Sequence, residues 1–300
     1  MALYLTRRRF LVSGLTFAAY QVLNPSAPLP SVLYPANPFA GRFYDPYDAQ
    51  FLSKAAPDFY RLLADMKQTV RKSMYPIKTT YTWQPYPKAT GEDTPVWVRG
   101  MRRGFVTIVT YREKLYALSV SHVVVPTAKD LHEEKIRLKD DLSIEIYVGN
   151  TPTVLDKWIL DQVEEVAVFR IPASLSVSPL TYALGDSDKL ELKDMIIVVA
   201  PRDLRIGSIT SLHGEDPIKD LELGTPQNTF LTDVPVMPGF SGSLVFAISK
   251  STPFIVGLAE GIYIKQHQGS EGRIEEDFQS VMIRINKFKE LIDEKSTSTF

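Results

Sequence analysis

The sequence predicts an all-β fold, an antiparallel barrel or sandwich, with one helix before the strands and one after them. Three observations carry this. Between residues 98 and 264, nine short runs rich in β-branched and aromatic residues recur between turn signals. Almost nothing in that region repeats with a helical period. The two stretches that do, 57–74 and 285–294, lie on either side of it.

In chain order, residues 6–11 read TRRRFL and are followed by the mildly apolar LVSGLTFAAYQVL. Twin arginines, one further residue and Phe-Leu resemble a twin-arginine export signal, so residues 1–27 are expected to be a signal or an uncleaved anchor. The apolar run is shorter than the roughly 20 residues that a membrane-spanning helix needs. Residues 28–97 form an extension that starts dense in Pro, Tyr and Asn, the composition of an extended linker. Phe59, Leu62, Leu63, Met66 and Val70 then recur at helical spacing, with Asp58 at the start and Lys67, Arg71 and Lys72 at the end, as the helix dipole favours. A helix is predicted over about 57–74, and 75–97 reads as Pro- and Thr-rich loop. Strands are predicted at 104–111, 114–122, 142–148, 166–171, 195–200, 206–212, 228–234, 243–248 and 253–264. INKFKELIDE, apolar at 285, 288, 291 and 292, closes as a helix.

Composition removes whole classes of function. With 34 Lys and Arg against 35 Asp and Glu, no global attraction to nucleic acid or an anionic membrane is expected. Cysteine is absent, which excludes disulfides, thiolate zinc sites and a cysteine nucleophile. Motifs for phosphate loops, dinucleotide folds and zinc helices are missing, so neither cofactor nor metal is expected.

The stretch 234–246, VPVMPGFSGSLVF, sets Ser241 between a Pro-Gly-Phe turn and a Gly-Ser pair. A nucleophilic serine needs a base and an acid. Of four histidines, His132 lies in a charged stretch, His213 in a turn and His267 in a polar loop, whereas His122 ends an apolar strand. Glu165, just before the apolar run VAVFRI, is the best acid between His122 and Ser241. The order His, acid, Ser excludes the α/β-hydrolases, whose order is Ser, acid, His. G-x-S-x-G also fails, because position 243 is Ser.

Five stretches in order now resemble the trypsin-like proteases, nearest to the protease domain of the HtrA (Deg) family. They are SVSHVVVPTAKDL (119–131), EVAVFRI (165–171), LGDSDKLELKDMIIVVAPRDLRIGSITSL (184–212), FLTDVPVMPGFSGSLVF (230–246) and FIVGLAEGI (254–262). The resemblance implies two packed six-stranded antiparallel barrels, 98–180 and 181–300, the second carrying the terminal helix. No segment resembling the family's PDZ domain follows. It also implies a serine endopeptidase acting on polypeptides through an acyl-enzyme, with His122, Glu165 and Ser241 as triad. The amides of Gly239 and Ser241 would then form the oxyanion hole.

Two departures from the family pattern bear on chemistry. The family has Asp where this chain has Glu165, a side chain longer by roughly 1.5 Å. Glu260 stands where relatives place a small polar residue beside the triad acid, so it is expected to share the proton network of Glu165 or to replace it. Two more departures are Phe240 for Asn or Asp, expected to alter only loop packing, and Ser243 in place of the second glycine, a change many relatives tolerate. Pro235, at the position of the family's pocket base, carries no carboxylate. With Val234, Val236, Met237 and Leu258 it suggests an apolar pocket, unless Glu260 points into it. Two other classes compete: a trypsin-fold pseudoprotease that binds extended peptides, and an assembly protein that docks its N-terminal arm on neighbouring subunits. An exported or membrane-associated protein is expected, with residues 1–23 available for membrane association and homo-oligomers in keeping with the family.

Overall fold

The computed structural model describes residues 49–85, 97–126, 136–213, 225–236, 239–249, 252–268 and 274–296. Helix α1 spans Ala49–Lys72, followed by β1 (Met74–Pro85), β2 (Val98–Tyr111) and β3 (Lys114–Val120). A single helical turn, α2 (Ser121–Val124), leads to β4 (Ile136–Leu138), β5 (Ser143–Val148), β6 (Thr151–Val154), β7 (Trp158–Asp161) and β8 (Val166–Arg170). Then come β9 (Met195–Val199), β10 (Leu204–Ser211), β11 (Thr229–Thr232), β12 (Leu244–Ser249), β13 (Thr252–Gln268), β14 (Ile274–Arg284) and α3 (Ile285–Ser296). The expected signal, the extension up to residue 48, His132 and Met237 lie outside the described residues. No described helix is long and apolar enough to cross a membrane.

Strands β9–β14 close into a six-stranded barrel in the order β10-β11-β14-β13-β12-β9. The first module differs from the expected closed barrel. Its described strands form an eight-stranded half-barrel sheet, β6-β5-β1-β2-β3-β8-β7, with β4 paired to β1. The segment read as loop supplies its centre, since β1 pairs with β2 from Met74↔Thr107 to Trp83↔Val98 and with β5 on its other edge. Ile77, Thr79 and Tyr81 point inward on alternate positions, which is strand period 2. Helix α1 begins at Ala49 rather than near 57, because AQFLSKAA consists largely of good helix formers.

Alternation along β9 explains how the modules join. Ile196 and Val198 fill the closed barrel with Val245, Ala247 and Met282. Met195, Ile197 and Val199 face the other way, into a core shared with Leu118, Val120, Val166 and Val168 of the first sheet. Both helices seal that shared core, α1 with Phe59, Met66 and Val70, α3 with Phe288, Leu291 and Ile292. Arg71 Nε fastens α1 to the second module by donating to the Pro201 carbonyl at 2.7 Å.

The barrel tolerates no side chain at Gly257. A Cβ there would lie 2.5 Å from the Ile283 carbonyl oxygen of the paired strand. Gly257→Ala is therefore expected to cost about 1–3 kcal/mol, read as a lower thermal midpoint, because backbone has to move to admit it.

Candidate active site

The site forms where the two modules meet. β3 ends at Val120, paired with Val166 of β8, and the next residues on either side are Ser121 and Glu165. The Ser121 amide donates to the Glu165 carbonyl at 3.1 Å, extending the ladder by one rung. The chain then turns into α2, which lifts His122 off the sheet. Glu165 takes a left-handed backbone, φ +55°, uncommon for a residue with a side chain. The preceding turn enforces it: Asp161 Oδ1 accepts from the amides of Val163 at 3.1 Å and Glu164 at 2.9 Å. Such conformations persist where the surroundings over-determine them, and they gather at functional sites.

Glu165 is 3% exposed, and one oxygen takes three bonds. Its Oε2 accepts from Ser121 Oγ at 2.6 Å and from the His122 amide at 3.1 Å, and it lies 3.1 Å from His122 Nδ1. With its proton on Nδ1 the imidazole would donate to this carboxylate, which would leave Nε2 available as an acceptor. His122 remains accessible, its side chain 24% exposed. Arg102 Nη1 donates to the His122 carbonyl and steadies the turn.

Across the junction, Ser241 sits between two glycines with left-handed backbones, Gly239 at φ +98° and Gly242 at φ +82°. Gly242 also permits close approach, for a Cβ there would come within 2.9 Å of Ser119 Oγ on β3. The serine loop thus packs on the strand that carries His122. Phe240, one of the departures, is buried in the barrel core and anchors the loop. Among the described residues, neither the Gly239 nor the Ser241 amide donates to another backbone group. The Ser241 hydroxyl donates to the Glu260 carbonyl at 3.0 Å. No described hydrogen bond joins it to His122.

Glu260 occupies a bulge. Ala259 pairs with Met282 and Gly261 with Val281, so Glu260 is the extra residue of β13, and bulges of this kind re-aim a side chain. It is 1% exposed, and neither carboxyl oxygen has a hydrogen-bond partner among the described residues. Burial, and then the negative charges of Glu165 and Glu164, push its carboxyl well above the usual range. Of the two carboxylates, it is Glu165 that lies within hydrogen-bond distance of His122 Nδ1.

The described residues of the expected apolar pocket are placed as follows. Leu258 is fully buried between Leu244 and Ile283 in the shared core, and Val234 and Val236 belong to the barrel core. Pro235 is exposed. His213 is an exposed residue far along the chain from these groups. Sequence reasoning missed Ser121 and the Gly242–Ser119 contact. The Ser-His dipeptide and the second glycine of GFSG were the available signals.

No protein-family model matches the sequence, and no curated protein does. Among solved structures, a variant of the HtrA-type protease AlgW with a decapeptide is similar over 79% of this chain and 67% of its own, at 17% identity and a TM-score of 0.50. AlgW with a decapeptide matches over 77% and 66% at 16% identity and 0.47. The variant with a tripeptide matches over 77% and 62% at 17% identity and 0.46. This chain spans about two thirds of their length. The first of these likenesses, with the closed barrel and half-barrel above, shows a trypsin-like fold.

Proposed function

We propose that this chain is a serine endopeptidase acting on exposed segments of polypeptide. The observation that carries the reading is the buried Glu165 carboxylate against His122 Nδ1, at the junction on which the Ser241 loop packs. In this reading His122 Nε2 takes the proton of Ser241 as its oxygen attacks a peptide carbonyl, then returns it to the leaving amine. Water reverses the sequence and releases the acyl group. The amides of Gly239 and Ser241 receive the developing oxyanion in this reading, a donor of that kind being worth about 10²–10³ in rate. The arginine pair near the N-terminus supports an exported enzyme.

Ser241 must leave the Glu260 carbonyl and turn toward Nε2 before it attacks. That contact also favours a second reading, a peptide-binding protein of this fold that does not hydrolyse. Fluorophosphonate labelling decides between them, with Ser241→Ala alongside and the labelled peptide located by mass spectrometry. Labelling confined to Ser241 is expected. A folded protein that takes no label, yet binds peptides, would replace the first reading with the second.

A further inference from the structure

The turn that delivers Glu165 is fastened to the rest of the molecule through the residue before it. Glu164 lies in the first module, yet its carboxylate accepts from the Thr225 amide at 3.2 Å and from the Thr225 hydroxyl at 3.0 Å, across the junction in the second module. Lys287 of α3 brings its ammonium to 3.9 Å of the same carboxylate. We infer that Glu164 is a positioning residue: its bonds to Thr225 hold the backbone of Glu165 in the conformation that keeps the Glu165 carboxylate at His122. The inference deepens the protease reading and rests on it for the effect on turnover.

Both ends of this connection are firm. Thr225 stands just ahead of the turn Pro226–Asn228, which leads directly into β11 of the closed barrel. The Thr225 carbonyl accepts from the Asn228 amide at 3.0 Å and from Thr229 Oγ1 at 3.2 Å, and its hydroxyl accepts from Asn228 Nδ2 at 2.9 Å. That hydroxyl keeps its own proton for Glu164. On the other side, the Glu164 amide is tied to Asp161, which pairs with Val166 where β7 meets β8. Gln162 and Val163 between them are exposed. Glu165 is therefore a single residue strung between two fixed points, Glu164 and Val166.

The clamp accounts for the backbone of Glu165. A left-handed φ of +55° is unfavourable for a side chain of this length, and glycine or asparagine usually takes such a position. Release of Glu164 would let the turn relax toward negative φ, and the Glu165 Cβ would swing with it. The Glu164 side chain is only 12% exposed, so Thr225 and Lys287 replace much of the water that its charge has lost. A bond that merely joined the modules would leave the Glu165 carboxylate where it is when cut. The two roles differ at the His122 amide, whose proton goes to Glu165 Oε2.

Hydrogen exchange on the full chain reads that amide without any need for turnover. In Glu164→Ala the His122 amide is expected to exchange on the order of tenfold faster than in wild type, while the amides of β9 keep their protection. Glu164→Gln retains an oxygen for the Thr225 amide and is expected to exchange like wild type. Thr225→Val removes the hydroxyl from the far side of the junction and is expected to act in the same direction by a smaller factor, with Thr225→Ser restoring the wild-type rate. This second pair carries the test if Glu164→Ala does not fold. On a peptide substrate, kcat of Glu164→Ala is expected on the order of 10- to 100-fold below that of Glu164→Gln, with KM little changed. A His122 amide that exchanges alike in all the variants, or equal kcat in Glu164→Ala and Glu164→Gln, overturns the inference. Lack of hydrolysis by wild type overturns the protease reading instead and leaves the exchange measurement to decide what holds Glu165.

Discussion

Glu165→Leu is expected to lower kcat about 10⁴-fold with little change in KM, measured by peptide hydrolysis after confirming that the variant is folded. The substitution removes the acceptor of three donors at once, Ser121 Oγ, the His122 amide and His122 Nδ1. The imidazole then loses both its fixed tautomer and the charge that stabilises it once protonated. Glu165→Gln separates those effects. Because the backbone amide of His122 needs an acceptor at the Oε2 position, the glutamine must place its oxygen there, and that oxygen still accepts from Nδ1–H. Orientation survives and charge does not, so the Gln variant is expected to fall between Leu and wild type. A Leu variant within tenfold of wild type would remove Glu165 from the mechanism.

Met66→Asp is expected to unfold the protein or to lower its thermal midpoint by more than about 10 °C. Met66 is fully buried in the core that α1, α3 and both modules share. An unpaired carboxylate there costs several kcal/mol, against a total stability of roughly 5–15 kcal/mol. Met66→Ala is the graded control, at about 2–5 kcal/mol for the lost contacts and the cavity. The check is a thermal melt of each beside wild type. An unchanged melt for the Asp variant would mean that α1 contributes nothing to holding the modules together.

The closed barrel was legible because β9 to β13 are apolar runs between turns, and their burial leaves little room for charge. What escaped was strand hidden under polar or proline-bearing sequence. In β1, Pro76 and three threonines mask a period that Ile77, Thr79 and Tyr81 keep, and a buried threonine looks like a surface one until its sheet is known. The strand β14 was missed for a similar reason, since its first half, IEED, is mostly charged. The site divides in the same way. His122, Glu165 and Ser241 were singled out from residue type and order, and Gly239 from the family resemblance. Leu258, Val234 and Val236 have the composition of a specificity pocket and of a barrel core alike. Only the packing tells them apart. Glu260 could be singled out as an anomaly, but its solitude is a property of the fold.

The placement of α1 sets an order on the birth of the molecule. This helix leaves the ribosome before β9 and α3, yet the core that buries Met66 and Val70 also holds Met195, Ile197 and Phe288. Its link to Pro201 spans 130 residues of chain. Synthesis at about 5–20 residues per second leaves the apolar face of α1 uncovered for on the order of ten seconds or more. A chain interrupted before α3 keeps that face open, a ready handle for chaperones and quality-control proteases. α3 thus closes the core to which α1 belongs, and α1 is where a copy lacking α3 would be recognised.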